Sequence, residues 1–218
     1  MEETKQQPLA LRVCAELAGS FLLCFAIYAF STWGSAVYGI NIVFFALATG
    51  LAYAAVTAIF SRVSGGQLNP AITVASVLVS KTKILDGILY VIAQVIGAIA
   101  AGFAVVKLLP TSEQVAAKVW LTPAVNGFEN ASVSYSLLTG AGLNPARSTG
   151  IALAAMNEGL TQNPLQQLWV FWISPVLAAA VVALVMIIAQ MMTTPKVPAA
   201  ADLPQTAADA NADTLDDG

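Results

Sequence analysis

The chain has 218 residues, 58% of them apolar and 10% charged, with nine basic and twelve acidic side chains and a net charge of -3. A soluble domain carries about a quarter charged residues; here segments 17–61, 87–106 and 161–195 contain none, which is the composition of an integral membrane protein. The absence of histidine excludes a His-based triad, a His general base and the commonest zinc sites, and no basic stripe is present to hold a nucleic acid.

A crossing helix needs about 20 apolar residues to span roughly 30 Å of hydrocarbon. The first such stretch is 9–30. Glu2 and Glu3 precede it and Glu16 interrupts it, so it predicts a retained helix and not a cleaved secretory signal. Cys14 and Cys24 lie in this run, about 15 Å apart along a helix, too far to bridge each other. The second stretch, 40–60, carries Ala46, Gly50, Ala54 and Ala58 at helical spacing, and the third, 87–106, carries Ala93, Gly97 and Ala101. Such small-residue stripes predict close packing against neighbouring helices. Segment 110–139 mixes Glu113, Lys118, Glu129 and two prolines with Ser and Asn and reads as a loop, with at most a short amphipathic turn. Within it Asn130-Ala-Ser132 is a glycosylation sequon that reads more simply as a polar loop triplet. The fourth stretch is 168–189. The acidic, proline- and alanine-rich residues after it predict a disordered tail, which sets a membrane domain at 9–192 and a tail at 193–218. With both termini cytoplasmic in a cell membrane, Lys5, Arg12, Arg62, Lys81, Lys83 and Lys196 fall inside against Lys107, Lys118 and Arg147 outside, the favoured bias.

Between these stretches the sequence repeats itself. SGGQLNPAIT at 64–73 returns as TGAGLNPARS at 139–148, matching in register at Gly, Leu, Asn, Pro and Ala. Each copy leads into about ten apolar residues, 71–79 and 146–155, roughly 15 Å of helix or half a bilayer. Asn69 and Asn144 suit N-caps and Pro70 and Pro145 suit the first helical position. The preceding glycines let the backbone double back, which a membrane tolerates where it is buried or lines water. Half-helices entering from opposite faces would meet N-terminus to N-terminus. Both Asn side chains would then donate to a passing molecule under two positive dipole ends, a focus that orients water and repels cations and hydrated protons. A single Asn-Pro reads as a capped turn; the duplication, the half-length helices and the membrane context favour the paired reading.

On these residues the chain resembles the aquaporins of the major intrinsic protein family: Ala15-Glu16 with Gly19 in the first crossing, SGGQLNPA, YVIAQVIGA at 90–98, TGAGLNPARS and LWVFWISP at 168–175. The resemblance implies an all-α membrane protein built as an inverted repeat with two re-entrant half-helices, a passive pore, tetrameric assembly and no cofactor. It implies a pore motif of Asn69, Pro70, Ala71, Asn144, Pro145 and Ala146. Its selectivity filter would hold Arg147 at the constriction, Thr49 in the slot of the usual second-helix aromatic, and Ala141 three residues before the second Asn. Carbonyls of Gly65, Gly66, Gln67, Gly140, Ala141 and Gly142 would accept from the solute file. Glu16 would face inward and hold the re-entrant loop, a structural role, since no second carboxylate completes an acid/base pair. Ser148 follows Arg147 where glycerol channels commonly carry Asp, and with Ala152 and Phe171-Trp172 this resembles the water-selective branch. The small Thr49 and Ala141 pull toward a wider filter and other small neutral solutes.

The family pattern has six crossings, and four are detectable here. The 29 residues between Pro110 and Gly140 are too few for two more, so the second repeat lacks its first two helices, the family's fourth and fifth. Losing a pair keeps the parity, so opposed half-helices remain allowed, but one side of the pore wall goes. The expected function is a passive channel for water, or other small neutral solutes, that excludes protons and ions. The alternative is a truncated, non-conducting aquaporin-like membrane protein. Expected partners are the solute, the lipid bilayer and further copies of the chain. An enzyme is not supported, since no nucleophile stands beside a base and GAGLNP lacks the third glycine of a dinucleotide fingerprint.

Overall fold

The computed structural model describes residues 7–34, 42–109, 120–122, 124–125, 142–160 and 163–193. Its helices in chain order are α1 (Leu9–Ala29), prolonged by a π-turn at Phe30–Gly34, α2 (Ile42–Ser64), α3 (Pro70–Leu78), α4 (Ile84–Leu108), α5 (Pro145–Ala154) and α6 (Val170–Thr193). Among the described residues α1, α2, α4 and α6 are the four helices long and apolar enough to cross a membrane. At nine and ten residues, α3 and α5 reach about halfway.

All four crossings differ in extent from the apolar runs, α2 by continuing from 60 to Ser64 and taking in Arg62 in its last turn. α1 continues through its π-turn to Gly34, α4 begins at Ile84, three residues before the uncharged run, and α6 continues to Thr193. The reason at α4 is that Asp86 can sit in a first turn, where a carboxylate meets the positive end of the helix and the interface, so the run's first charge is inside the helix. Residues 40 and 41, Gly140, Ala141, the sequon and the tail beyond Thr193 lie outside the described residues.

α1 packs most extensively on α4, and α4 in turn on the half-helix α5; α1 also packs on α2, and α3 on α6. Glycine makes the first two contacts close. A Cβ on Gly97 would strike the backbone of Leu17 and Phe21 in α1, and one on Gly150 would strike the Ala98 carbonyl in α4. In lipid, where apolar burial gives no driving force between helices, such backbone approach is what holds them together. Cys24, Tyr28, Ala98, Ala101 and Ile151 form the centre of this core, and the short turn at Leu121 and Ala124 packs into it.

The two small-residue stripes meet different fates. Ala93, Gly97 and Ala101 are buried at the α1–α4 seam. Ala46, Gly50, Ala54 and Ala58 are all exposed, and a Cβ on Gly50 would touch nothing, so the expected close packing does not occur in the single chain. α2 instead packs Phe45, Tyr53 and Val56 with Leu23, Ile27 and Leu68, while Phe44, Leu47, Leu51 and Ile59 stay exposed. The result is an uneven molecule in which 44% of the α1 and α4 spans is buried, against 11% of α2 and 17% of α6.

Candidate functional site

The path from α2 to α3 is a tight reversal. Gly65 and Gly66 take φ of +96° and +60°, and at Gly66 a side chain would strike the Thr57 carbonyl. Leu68 also lies in the left-handed region, at +53°, which costs an L-residue about 1–2 kcal/mol. Its fully buried side chain and both of its backbone groups hold it there: the N–H donates to Glu16 at 2.7 Å, and the carbonyl accepts from Asn144 at 2.8 Å.

Glu16 organises this loop from α1. Its Oε1 accepts from Ser64 Oγ at 2.6 Å and Gln67 N at 2.9 Å, and its Oε2 from Leu68 N and from Gln94 Nε2 at 2.8 Å. Four donors thus converge on a carboxylate that is 0% exposed, which offsets the cost of placing it in the membrane. Gln94 extends the clamp to α3 by a second bond, from Nε2 to Thr73 Oγ1 at 3.0 Å.

The two half-helices meet at their N-caps. Asn69 Oδ1 accepts from Ala71 N at 2.9 Å and Asn144 Oδ1 from Arg147 N at 3.2 Å, each capping its own helix ahead of a proline. Their amide nitrogens cross over: Asn69 Nδ2 donates to the Leu143 carbonyl at 3.2 Å, and Asn144 Nδ2 to the Leu68 carbonyl at 2.8 Å. This reciprocal lock sets α3 and α5 N-terminus to N-terminus. It also makes the two donors unequal. Asn144 Nδ2 gives its other hydrogen to the Tyr53 hydroxyl at 2.9 Å, so both its N–H groups are committed to protein acceptors. The expectation that both side chains stand free to donate therefore does not hold for Asn144, because Tyr53 in α2 reaches it first.

Arg147 follows in α5. Its carbonyl accepts from the Tyr28 hydroxyl, and its side chain is 4% exposed, with Nε and Nη2 buried and making no hydrogen bond among the described residues. Thr49, one turn before Tyr53 in α2, likewise has a buried Oγ1 without a partner there. No hydrogen bond reaches the carbonyls of Gly65, Gly66 or Gln67 among the described residues, and Gly142 is buried with φ of +59°. Thr149 fixes α5 to α6 by accepting from Trp172 Nε1 at 2.9 Å while donating to the Pro145 carbonyl.

Residues 3–134 and 127–186 match the family described as Major intrinsic protein. The chain belongs to this family. Major intrinsic proteins are channels, not enzymes, and this one is a multi-pass membrane protein with the family's passive-channel architecture. It is 29% identical to the lens fiber major intrinsic protein of Gallus gallus, covering 84% of this chain and 83% of the relative, and 26% identical to Aquaporin Z of Brucella melitensis, covering 80% and 95%. Those alignments run over 226 and 227 positions, more than the 218 residues present, so each relative carries residues opposite gaps in this chain. The aquaglyceroporin structure from Plasmodium falciparum shares the fold, with a TM-score of 0.58 at 18% identity over 81% of this chain and 94% of that one.

Three side chains at this site are assigned no role by the sequence: Tyr53, Tyr28 and Gln94, the last within YVIAQVIGA. Two had a signal. Gln94 is the lone Gln in the uncharged run of α4, where a polar group needs a partner, and Tyr53 stands four residues after Thr49, on the same helical face. Tyr28 is one aromatic among several in an apolar run, and nothing marks it.

Proposed function

We propose that this major intrinsic protein is a passive water channel. Solute would pass the junction of α3 and α5, with Asn69 and the carbonyls of Gly65, Gly66 and Gln67 lining the file and Arg147 at the filter beside Thr49 and Ala141. The observation that carries the reading is the reciprocal bonding of Asn69 Nδ2 to the Leu143 carbonyl and Asn144 Nδ2 to the Leu68 carbonyl, which sets the N-termini of two half-helices against each other with Arg147 directly after the second. Two positive helix ends and the Arg147 guanidinium together repel cations and hydrated protons. Ser148 after Arg147 supports water over glycerol, and the small Thr49 leaves room for other small neutral solutes. In this reading residues 9–192 are the channel domain, both termini face the cytoplasm, and the chain works in the cell membrane as a homo-oligomer.

The second reading, a non-conducting relative, draws on the low burial of α2 and α6. Pore-lining backbone turned toward lipid costs several kcal/mol per unsatisfied group, so conduction requires other copies to complete the wall. Stopped-flow light scattering on proteoliposomes separates the two. A water channel shrinks them faster than protein-free vesicles under a sucrose gradient, with glycerol uptake at the protein-free rate. Equal water rates favour the non-conducting reading, and accelerated glycerol uptake moves the assignment to a wider solute class.

A further inference from the structure

A cavity of about 380 Å³ opens where α1 and α4 begin and α2 and α3 end, on the far side of the Glu16 clamp from the Asn junction. Its wall carries three cations, Arg12, Lys81 and Lys83, against one carboxylate, Asp86. Arg12 and Asp86 satisfy each other: Arg12 Nη1 donates to Asp86 Oδ2 at 2.8 Å and to Tyr90 Oη at 3.2 Å, and its Nε to the Gln7 carbonyl at 3.0 Å. Lys81 and Lys83 are exposed and form no ion pair among the described residues. The excess positive charge of the cavity is therefore theirs.

The turn bearing these lysines is built, not loose. Lys81 N and Thr82 N both donate to the Ser76 carbonyl, at 2.9 and 3.1 Å, and Thr82 Oγ1 is held by Gln67 Nε2 at 2.8 Å and Ser76 Oγ at 2.9 Å. α4 starts at its end with Lys83 as N-cap and no side-chain cap, so its first-turn N–H groups add positive character to the same spot. Apolar surface begins at the next residue, with Ile84 71% and Leu85 63% exposed. Exposed cations on a well-held turn bordering an exposed apolar surface match a molecule that is anionic at one end and hydrocarbon at the other.

We propose that this cavity binds the phosphate group of an anionic phospholipid, with Lys81 and Lys83 on the phosphate oxygens and the acyl chains lying along the Ile84–Leu85 surface. The shared chemistry is a phosphate anion, which inorganic phosphate also offers; the apolar border selects the lipid. The inference is independent of whether the chain conducts, because none of these residues lies at the Asn junction.

Native mass spectrometry of the full chain in detergent tests it, with phosphatidylglycerol, phosphatidylcholine and inorganic phosphate as probes. Phosphatidylglycerol is expected to be retained over phosphatidylcholine. The Lys81→Ala, Lys83→Ala double variant should weaken that retention about tenfold or more, while Lys107→Ala, an exposed lysine at the other end of α4, leaves it unchanged. Unchanged thermal unfolding in detergent shows that each variant is folded. Equal retention of the two lipids, or equal losses in the Lys107 and Lys81/Lys83 variants, would overturn the site. Tighter binding of inorganic phosphate than of phosphatidylglycerol would overturn the lipid assignment.

Discussion

The two half-helices share a sequence motif and are held by different physics. α3 is secured by hydrogen bonds, through the Glu16 carboxylate and Gln94 gripping the loop before it and Thr73 within it. α5 is secured by close approach, with Gly150 against the Ala98 carbonyl, Gly102 facing Gly150, and single bonds from Tyr28 and Trp172. Among the described residues no carboxylate stands to α5 as Glu16 of α1 stands to α3. A duplicated motif can thus keep its geometry on two different supports, with α4 supplying most of the contacts of α5.

Substitutions that touch one half at a time break this comparison. Glu16→Leu orphans four donors in a buried site, so it should destabilise the fold by on the order of 4 kcal/mol, seen as a large fall in thermal unfolding temperature in detergent; a small shift would mean the loop is held elsewhere. Gly150→Val forces a side chain into the α4 backbone and should cost about 1–3 kcal/mol, with the effect falling on α5. Hydrogen exchange is expected to rise in 142–155 and stay low in 64–78, and a uniform rise across both segments would contradict independent anchoring. Tyr28→Phe removes the bond to the Arg147 carbonyl together with the hydroxyl's contact with Cys24, an effect of about 1 kcal/mol in the same unfolding assay.

The smallest expected change in stability comes from Tyr53→Phe, and it sharpens the comparison most. It frees one N–H of Asn144 and removes the hydroxyl that also faces Asn69. Water permeability of proteoliposomes should then rise with unfolding temperature almost unchanged. A fall in permeability would show that the Tyr53 hydroxyl aids passage and does not occupy a solute position.

Much of this was legible in the residues. Asn-Pro at both repeats encodes cap and first turn so directly that α3 and α5 begin where expected, and Glu16 stands out as a carboxylate in an apolar run. The glycines at 65 and 66 announce the reversal that their positive φ confirms. The fate of the stripes was not legible, because spacing shows that Ala46, Gly50, Ala54 and Ala58 share a face without showing what lies opposite. The same limit applies to Tyr53. Its helical face follows from Thr49, but its bond to Asn144 depends on where α5 sits in three dimensions, and that position is set by glycine contacts nearly a hundred residues away.

The central claim is that water crosses through a polypeptide path at the α3–α5 junction. The activation energy for water permeability of proteoliposomes tests it most directly, measured beside protein-free vesicles of the same lipid. The account predicts a markedly lower activation energy with the protein present, since a pore spares water the cost of entering hydrocarbon. An activation energy equal to that of the bare bilayer would contradict it.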